Sequence, residues 1–372
     1  MSVMIDIAGL PTERLVFRPS PLAELCTALH ALAEPGHHPG LHGWTTATNS
    51  SLKPDLADRL CEADFLWTST FSDISLPFAA LPDAHGQPGA TLTEDLDQLD
   101  RLDDELFADA ALEISCSQLY TQKGPSPLVN ARARELALER ATARGPRQLD
   151  FAKRLLEDPP AVRAWLRRLF EDCAEAFFND LWQRVRLQLA ADARHKTELL
   201  RHKGLAEALA EVSPAMTLTE NGTRIVVDKL GSGRTSALDP AVGAGVTFVP
   251  SAIGWPHLWV LHAPGWRPVI HYPVAAPELP GPASLDLLKL RLEALSHHMR
   301  MRMCRYLARA AYSTGELAAG LDISAPEVSR HIAVLKKAGL VTTRRRGRYV
   351  LHQLDLTVVA RLGSDFVEGV LR

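Results

Sequence analysis

Two helix-start signatures stand eleven residues apart near the C-terminus, Ser313-Thr314-Gly315-Glu316 and Ser324-Ala325-Pro326-Glu327. In each, the serine hydroxyl can accept from the amide three residues on while the glutamate reaches back to the serine amide. Two helices that begin so close together must be short and joined by a tight turn, here Gly320 to Ser324. Leu317, Ala318 and Leu321 supply a small inner face for the first helix; Val328, Ile332 and Leu335 supply one for the second. Pro326 is tolerated in a first turn, and Gly339 offers the left-handed residue that ends a helix. Upstream, 285–295 and 299–309 read as amphipathic helices. Downstream, 340–344, a turn at Arg345-Arg346-Gly347, and 348–354 read as a β-hairpin. That order is a winged helix-turn-helix.

In such a motif the second helix enters the major groove of DNA by its N-terminal half. Its outward residues there are Ala325, Glu327, Ser329, Arg330 and His331, preceded by Ser324. Arg330 is the candidate for a base edge, because a guanidinium matches guanine bidentately. Ser324 and Ser329 suit phosphate. Arg344, Arg345, Arg346 and Arg348 stand at or beside the hairpin tip. A wing of this kind lies along the backbone or enters the minor groove, whose negative potential attracts arginine. A lone arginine triplet would read as a solvated hairpin; the capped helix pair before it favours DNA. Charge agrees: 285–372 hold 15 Lys+Arg and 8 Asp+Glu, net +7, and the remainder holds 26 and 36, net −10. A polyanion is attracted to the first and repelled by the second.

The stretches LEALSHHMRMRMCRYLA, ELAAGLDISAPEVSRHIAVLKKAGLV and RRRGRYVLHQLD resemble the DNA-binding domain of ArsR-type transcriptional regulators. The resemblance covers about a fifth of the chain. It implies a homodimer on an inverted repeat, with dimer contacts from 285–295 and from 356–371, the latter amphipathic through Val358, Val359, Leu362, Phe366 and Val370. By analogy it implies a repressor. Two departures matter. Metal-sensing members carry Cys-X-Cys in the first helix of the motif, where this chain has Leu317-Ala318-Ala319; others carry His and Asp ligands on the last helix, and 356–372 contain no histidine. Neither known site can be carried over, since borderline metals need thiolate or imidazole there. Cys304, alone on an apolar helix, reads as a core residue. The layout is similar to actinobacterial ArsR-type regulators that carry a large uncharacterised N-terminal domain.

At 372 residues the chain is long enough for two or three domains. No apolar run approaches the roughly 18 residues of a membrane span, and the N-terminus lacks the pattern of a secretion signal. The five dispersed cysteines fit reduced thiols in a cytoplasm. The expected fold is α+β: a mainly helical region over 1–212, a small antiparallel β sub-region over 213–272 packed on it, a Pro-rich linker over 273–284, and the winged helix-turn-helix domain over 285–372. Two short strands are expected in 3–18, and Ser20 can cap a helix reaching Ala33. Helical patterning is read at 55–65, 94–107, 128–143 and, as one long or two consecutive helices, 159–208. Asn221-Gly222 between alternating runs signals a hairpin, with further strands in GVTFVPS, HLWVLHA and RPVIHYPV.

The N-terminal part carries no recognisable chemistry. LGSGRTSA lacks the lysine of a phosphate loop, and no nucleophile elbow or His-Glu-X-X-His appears. His37, His38 and His42, in a Gly/Pro loop without a carboxylate or cysteine, are expected to face solvent rather than bind metal. His297-His298 reads as a turn. Trp165, Trp182, Trp255, Trp259 and Trp266 read as core rather than a pocket. No catalytic residue, metal ligand or cofactor is assigned, and the chain is read as no enzyme. The expected protein is a cytoplasmic, homodimeric DNA-binding regulator without membrane contact. Its N-terminal part would serve as a sensor or oligomerisation module for an unknown small-molecule or protein effector. Two other classes stay open, an enzyme domain fused to a DNA-binding domain and an architectural DNA-binding protein. Turnover of a bound metabolite would mark the first, and unselective DNA binding the second.

Overall fold

Residues 2–68, 71–82, 86–116, 124–229, 232–274, 284–308, 310–346, 349–355, 358–359, 362–363 and 365–367 are described by the computed structural model, with backbone alone at 39, 113–116, 346 and 349. Most of the Pro-rich stretch 273–284 lies outside them. The chain divides into two compact units, Met1–Pro277 and Glu278–Arg372.

The first unit begins with β1 (Ser2–Asp6) and β2 (Leu15–Phe17), the two strands expected there. Ser20 then caps α1 (Pro21–Ala33): its hydroxyl accepts from Ala23 N at 3.1 Å and donates to Asp95 at 2.8 Å. Asp95 also accepts from Leu22 N at 3.0 Å and Gly89 N at 2.6 Å, so one buried carboxylate ties two amides to the capping hydroxyl. Next come α2 (His42–Ser51) and α3 (Pro54–Ala63). The 94–107 pattern is two helices, α4 (Leu92–Asp100) and α5 (Asp104–Cys116). The break arises because the Asp103 carboxylate accepts from Leu106 N at 2.8 Å and starts a new helix. Then follow α6 (Ala131–Arg144), α7 (Pro146–Glu157) and α8 (Pro159–Cys173). A π-turn (Ala174–Phe178) leads into α9 (Asn179–Lys203), followed by α10 (Leu205–Val212).

The rest of this unit is strand: β3 (Met216–Leu218), β4 (Arg224–Asp228), β5 (Gly233–Ser236), β6 (Val246–Ser251), β7 (Trp259–Leu261) and β8 (Val269–Pro273). Gly222, at φ +67°, makes the expected turn between β3 and β4. The strands form two four-stranded sheets, ordered β3-β4-β1-β5 and β2-β6-β8-β7. Antiparallel pairing holds for β3–β4, β1–β4 and β7–β8, but β1–β5, β2–β6 and β6–β8 are parallel, so both sheets are mixed. The cause is the chain order: β2 reaches β6 only after the whole helical run, and a long crossover permits parallel pairing. One core gathers the helices around Leu25, Leu29, Phe78, Phe107, Leu166 and Phe170; a second lies between sheets and α10 around Ile5, Phe17, Leu209, Phe248 and Tyr272. Each such fully buried aliphatic or aromatic side chain contributes about 1.5–3 kcal/mol.

The histidines of the Gly/Pro loop depart from expectation. That loop is two 3-10 turns, Pro35–His37 and Pro39–Leu41. His42 is exposed, but His37 is half-buried and His38 is buried. They turn inward because α1 ends on a buried face that the next residues continue to cover. Of the five tryptophans singled out above, Trp266 is buried and Trp165, Trp182, Trp255 and Trp259 are half-buried.

The second unit contains α11 (Leu285–Leu295), α12 (His298–Leu307), β9 (Tyr312–Ser313), α13 (Thr314–Leu321), α14 (Ala325–Lys337), β10 (Val341–Arg346) and β11 (Tyr349–Leu354). Its core includes Met303, Leu307, Leu317, Leu321, Val328, Ile332, Leu335, Leu340, Val341 and Leu354, with Cys304 buried as expected. Residues 358–359, 362–363 and 365–367 are helical. Val370 lies outside the described residues.

Candidate nucleic-acid interface

Two local devices set the turn between α13 and α14. Ser313 Oγ accepts from Glu316 N at 3.3 Å, and the Glu316 carboxylate accepts from Ser313 N at 2.7 Å, a complete capping box. These bonds hold the Glu316 carboxyl below its ordinary pKa. At the other end α13 stops at Asp322, whose φ of +57° is left-handed. Aspartate tolerates this region better than most residues. Two residues on, Ser324 Oγ accepts from Glu327 N at 3.4 Å, the hydroxyl half of a second box, and α14 begins. Tyr306 of α12 braces the turn by donating to Gly320 O at 2.8 Å.

Val328, Ile332 and Leu335 face the core, which fixes the rotation of α14 about its axis. Ser324, Ala325, Ser329 and Arg330 are thereby exposed, while Glu327 and His331 are half-buried. Ser329 donates to Ala325 O at 3.0 Å in this state. His331 lies 4.9 Å from the His297 ring, and its pKa is lowered by partial burial and by that neighbour. His297 itself caps α12, accepting from Met299 N at 3.1 Å, and His298 is the helix's first residue. Gly339, at φ +68°, ends the recognition helix as expected.

The hairpin differs in its turn. β10 and β11 pair from Val341↔Leu354 to Arg346↔Tyr349, so Arg345 and Arg346 belong to the strand, not the turn. The register is set at the root, where Val341 and Leu354 are both buried. Arg344 and Arg345 are exposed. Arg346 is described in its backbone only, and Arg348 lies outside the described residues.

Sequence reasoning missed what fastens this wing. β9 adds a third strand, pairing Ser313 with Leu351 and Tyr312 with His352. Buried His352 bonds Thr343 Oγ1 through Nδ1 at 3.3 Å and Thr314 Oγ1 through Nε2 at 3.2 Å. One imidazole thus joins the wing to the start of α13. A second fastening is the pair Arg291–Asp365 at 2.7 Å, both side chains largely buried, with Arg291 Nε also 3.4 Å from Ala338 O. It links α11, the end of α14 and the last described residues. Neither link leaves a local signature, since Thr314 lies 38 residues from His352 and Asp365 lies 74 from Arg291.

A family described as "Family of unknown function (DUF5937)" matches residues 1–278, and one described as "Helix-turn-helix domain" matches residues 295–344. The biofilm growth-associated repressor of Agrobacterium fabrum is 36% identical over 93 residues, covering 24% of this chain and 80% of that protein. The HTH-type transcriptional regulator Rv2034 of Mycobacterium tuberculosis is 41% identical over 73 residues, 20% of this chain and 68% of that protein. The HTH-type transcriptional repressor SmtB of the same species is 32% identical over 102 residues, 24% and 76% respectively.

Proposed function

Because the chain belongs to the ArsR-type winged helix-turn-helix regulators, with a DUF5937 family domain over residues 1–278, we propose that it represses transcription by binding a specific DNA sequence. The observation that carries this reading is the exposed face of α14. Ala325, Ser329 and Arg330 stand out from a helix whose opposite side is locked into the core, with exposed Arg344 and Arg345 on the adjoining hairpin. Arg330 reads a base edge; Ser324 and Ser329 contact phosphate; Glu327 and His331 border the contact. The wing arginines Arg344, Arg345, Arg346 and Arg348 hold the backbone or minor groove.

The protein acts as a homodimer on an inverted repeat. Leu285 and Leu292 on α11 and Phe366 in the last described helical residues are 64%, 43% and 49% exposed, apolar groups that a partner copy would cover. The N-terminal unit serves as sensor or oligomerisation module, so that a small-molecule or protein effector shifts the DNA-competent population. This reading assigns no reaction to the chain. Among the described residues no helix is long and apolar enough to cross a membrane, and a repressor of chromosomal genes works in the cytoplasm.

Selection of genomic fragments by the purified full chain tests the reading. A few fragments sharing an inverted repeat are expected. Unselective, salt-sensitive binding would overturn it in favour of an architectural role.

A further inference from the structure

Four histidines converge within the first unit from segments far apart in sequence. His30 lies near the end of α1, His37 closes the 3-10 turn that follows, His38 is next, and His257 precedes β7. The ligand-capable nitrogens of His30, His37 and His257 all lie within 4.8 Å of one another; among the described residues no other three His, Cys, Asp or Glu side chains gather so. His30 Nε2 and His257 Nε2 are 3.2 Å apart. Two nitrogens on a tetrahedral zinc, each at about 2.0–2.1 Å, stand about 3.3 Å apart, so this pair already has the spacing of one ligand edge.

The second neighbour of His30 points the same way. Its Nδ1 is 2.6 Å from Trp67 O, which places the proton on Nδ1 and leaves the Nε2 lone pair facing the cluster. A backbone carbonyl behind a histidine is the usual orienting partner of a metal ligand. His38 is 1% exposed, with its ring 5.1 Å from His30 and 5.3 Å from His257. Its nitrogens lie near the Ile253 and Trp255 carbonyls, yet neither makes a well-formed hydrogen bond. His37 Nδ1 is likewise buried without a partner. Buried polar atoms normally have partners, and three histidine nitrogens beside the cluster have none well formed.

We propose that His30, His37 and His257 form a binding site for a borderline divalent transition-metal ion, Zn2+ or Co2+ in class, with buried His38 packed against the cluster. Three imidazoles select such ions over Mg2+ and Ca2+, which require oxygen ligands. The site is distinct from the two positions in the winged domain at which the family resemblance would place metal. It does not depend on the DNA-binding reading, because its test involves no DNA.

The test is titration of the chelator-treated full chain with Co2+, followed by visible absorption, and with Zn2+, followed by calorimetry and by thermal denaturation. One tightly bound ion per chain is expected, with a four-coordinate Co2+ spectrum that Zn2+ abolishes and a raised unfolding temperature with Zn2+. His37→Gln, on a half-buried turn, and His257→Gln should each weaken binding about tenfold or more while the metal-free proteins melt cooperatively. His331→Gln, which alters the His297–His331 pair in the second unit, should bind as the wild type does. Absence of a stoichiometric ion, binding unchanged in both His37→Gln and His257→Gln, or loss in His331→Gln would each overturn the proposal.

Discussion

The two units carry their functional groups in opposite ways. In Glu278–Arg372 the candidate interface is drawn from consecutive residues, Ser324 to Leu354: a cap, a helix, a left-handed stop and a hairpin. In Met1–Pro277 the most unusual chemistry, the histidine cluster, is assembled from α1 and from a segment more than two hundred residues later. A surface made of neighbours in sequence announces itself through spacing. A site made by tertiary convergence does not, because each histidine alone looks like a loop or core residue. The absence of a motif in a long N-terminal domain is therefore poor evidence that it lacks a site.

The contrast can be broken most forcefully at the cores. All seven tryptophans (Trp44, Trp67, Trp165, Trp182, Trp255, Trp259 and Trp266) lie in the first unit, so intrinsic tryptophan fluorescence reports that unit alone. Leu335→Ala removes a fully buried side chain of α14 and should cost about 2–5 kcal/mol. DNA binding should be lost while the tryptophan-detected transition stays put. A matching fall in that transition would show that the units are thermodynamically coupled.

Glu24 gives the reverse experiment. It is fully buried, accepts from Ala252 N at 3.0 Å, and burial pushes its pKa up to about 7. The folded state then holds a proton that the unfolded chain releases near 4.5. Stability of the first unit should fall as pH rises from about 4.5 to 7, by on the order of 3 kcal/mol from this group, and be level above. Glu24→Gln should remove that slope in tryptophan-detected denaturation and leave DNA binding unchanged. An unaltered slope would assign the effect to other carboxyls, of which Asp95, pushed up to about 6, is the nearest in kind.

Smaller effects sharpen the local end of the comparison. Ser313→Ala removes one half of a complete capping box and should lower the stability of the second unit by about 1 kcal/mol, seen in amide exchange of α13. Arg345→Ala should change folding little. It should reduce the slope of log binding constant against log salt by about one, the signature of a single lost phosphate contact. An unchanged slope would place the wing away from DNA.

Much of the second unit was legible because its signals are local. Ser313, Glu316, Ser324 and Gly339 each act within four residues, and the spacing of Val328, Ile332 and Leu335 orients the helix unaided. What was illegible there is short or distant: β9 has two residues, and His352 and Arg291 act through partners on other elements. In the first unit Ser20 and Asn221-Gly222 spoke plainly for the same reason. The break at Asp103 did not, since an aspartate inside an amphipathic run is equally a helix surface residue. Parallel pairing of β2, β6 and β8 depends on the path of all the helices between, which no strand records. His37 and His38 were misplaced at the surface because loop composition carries no information on what packs against the loop.

Specific recognition requires Arg330 to read sequence rather than merely add charge. The decisive measurement is titration of a selected DNA site, and of the same site with single base-pair changes in each half, by the wild type and by Arg330→Ala. Arg330→Ala should lose about 1–3 kcal/mol on the intact site, together with discrimination at one base pair per half-site. Equal weakening on every sequence, with discrimination intact, would make Arg330 a backbone contact and contradict the proposed mode of recognition.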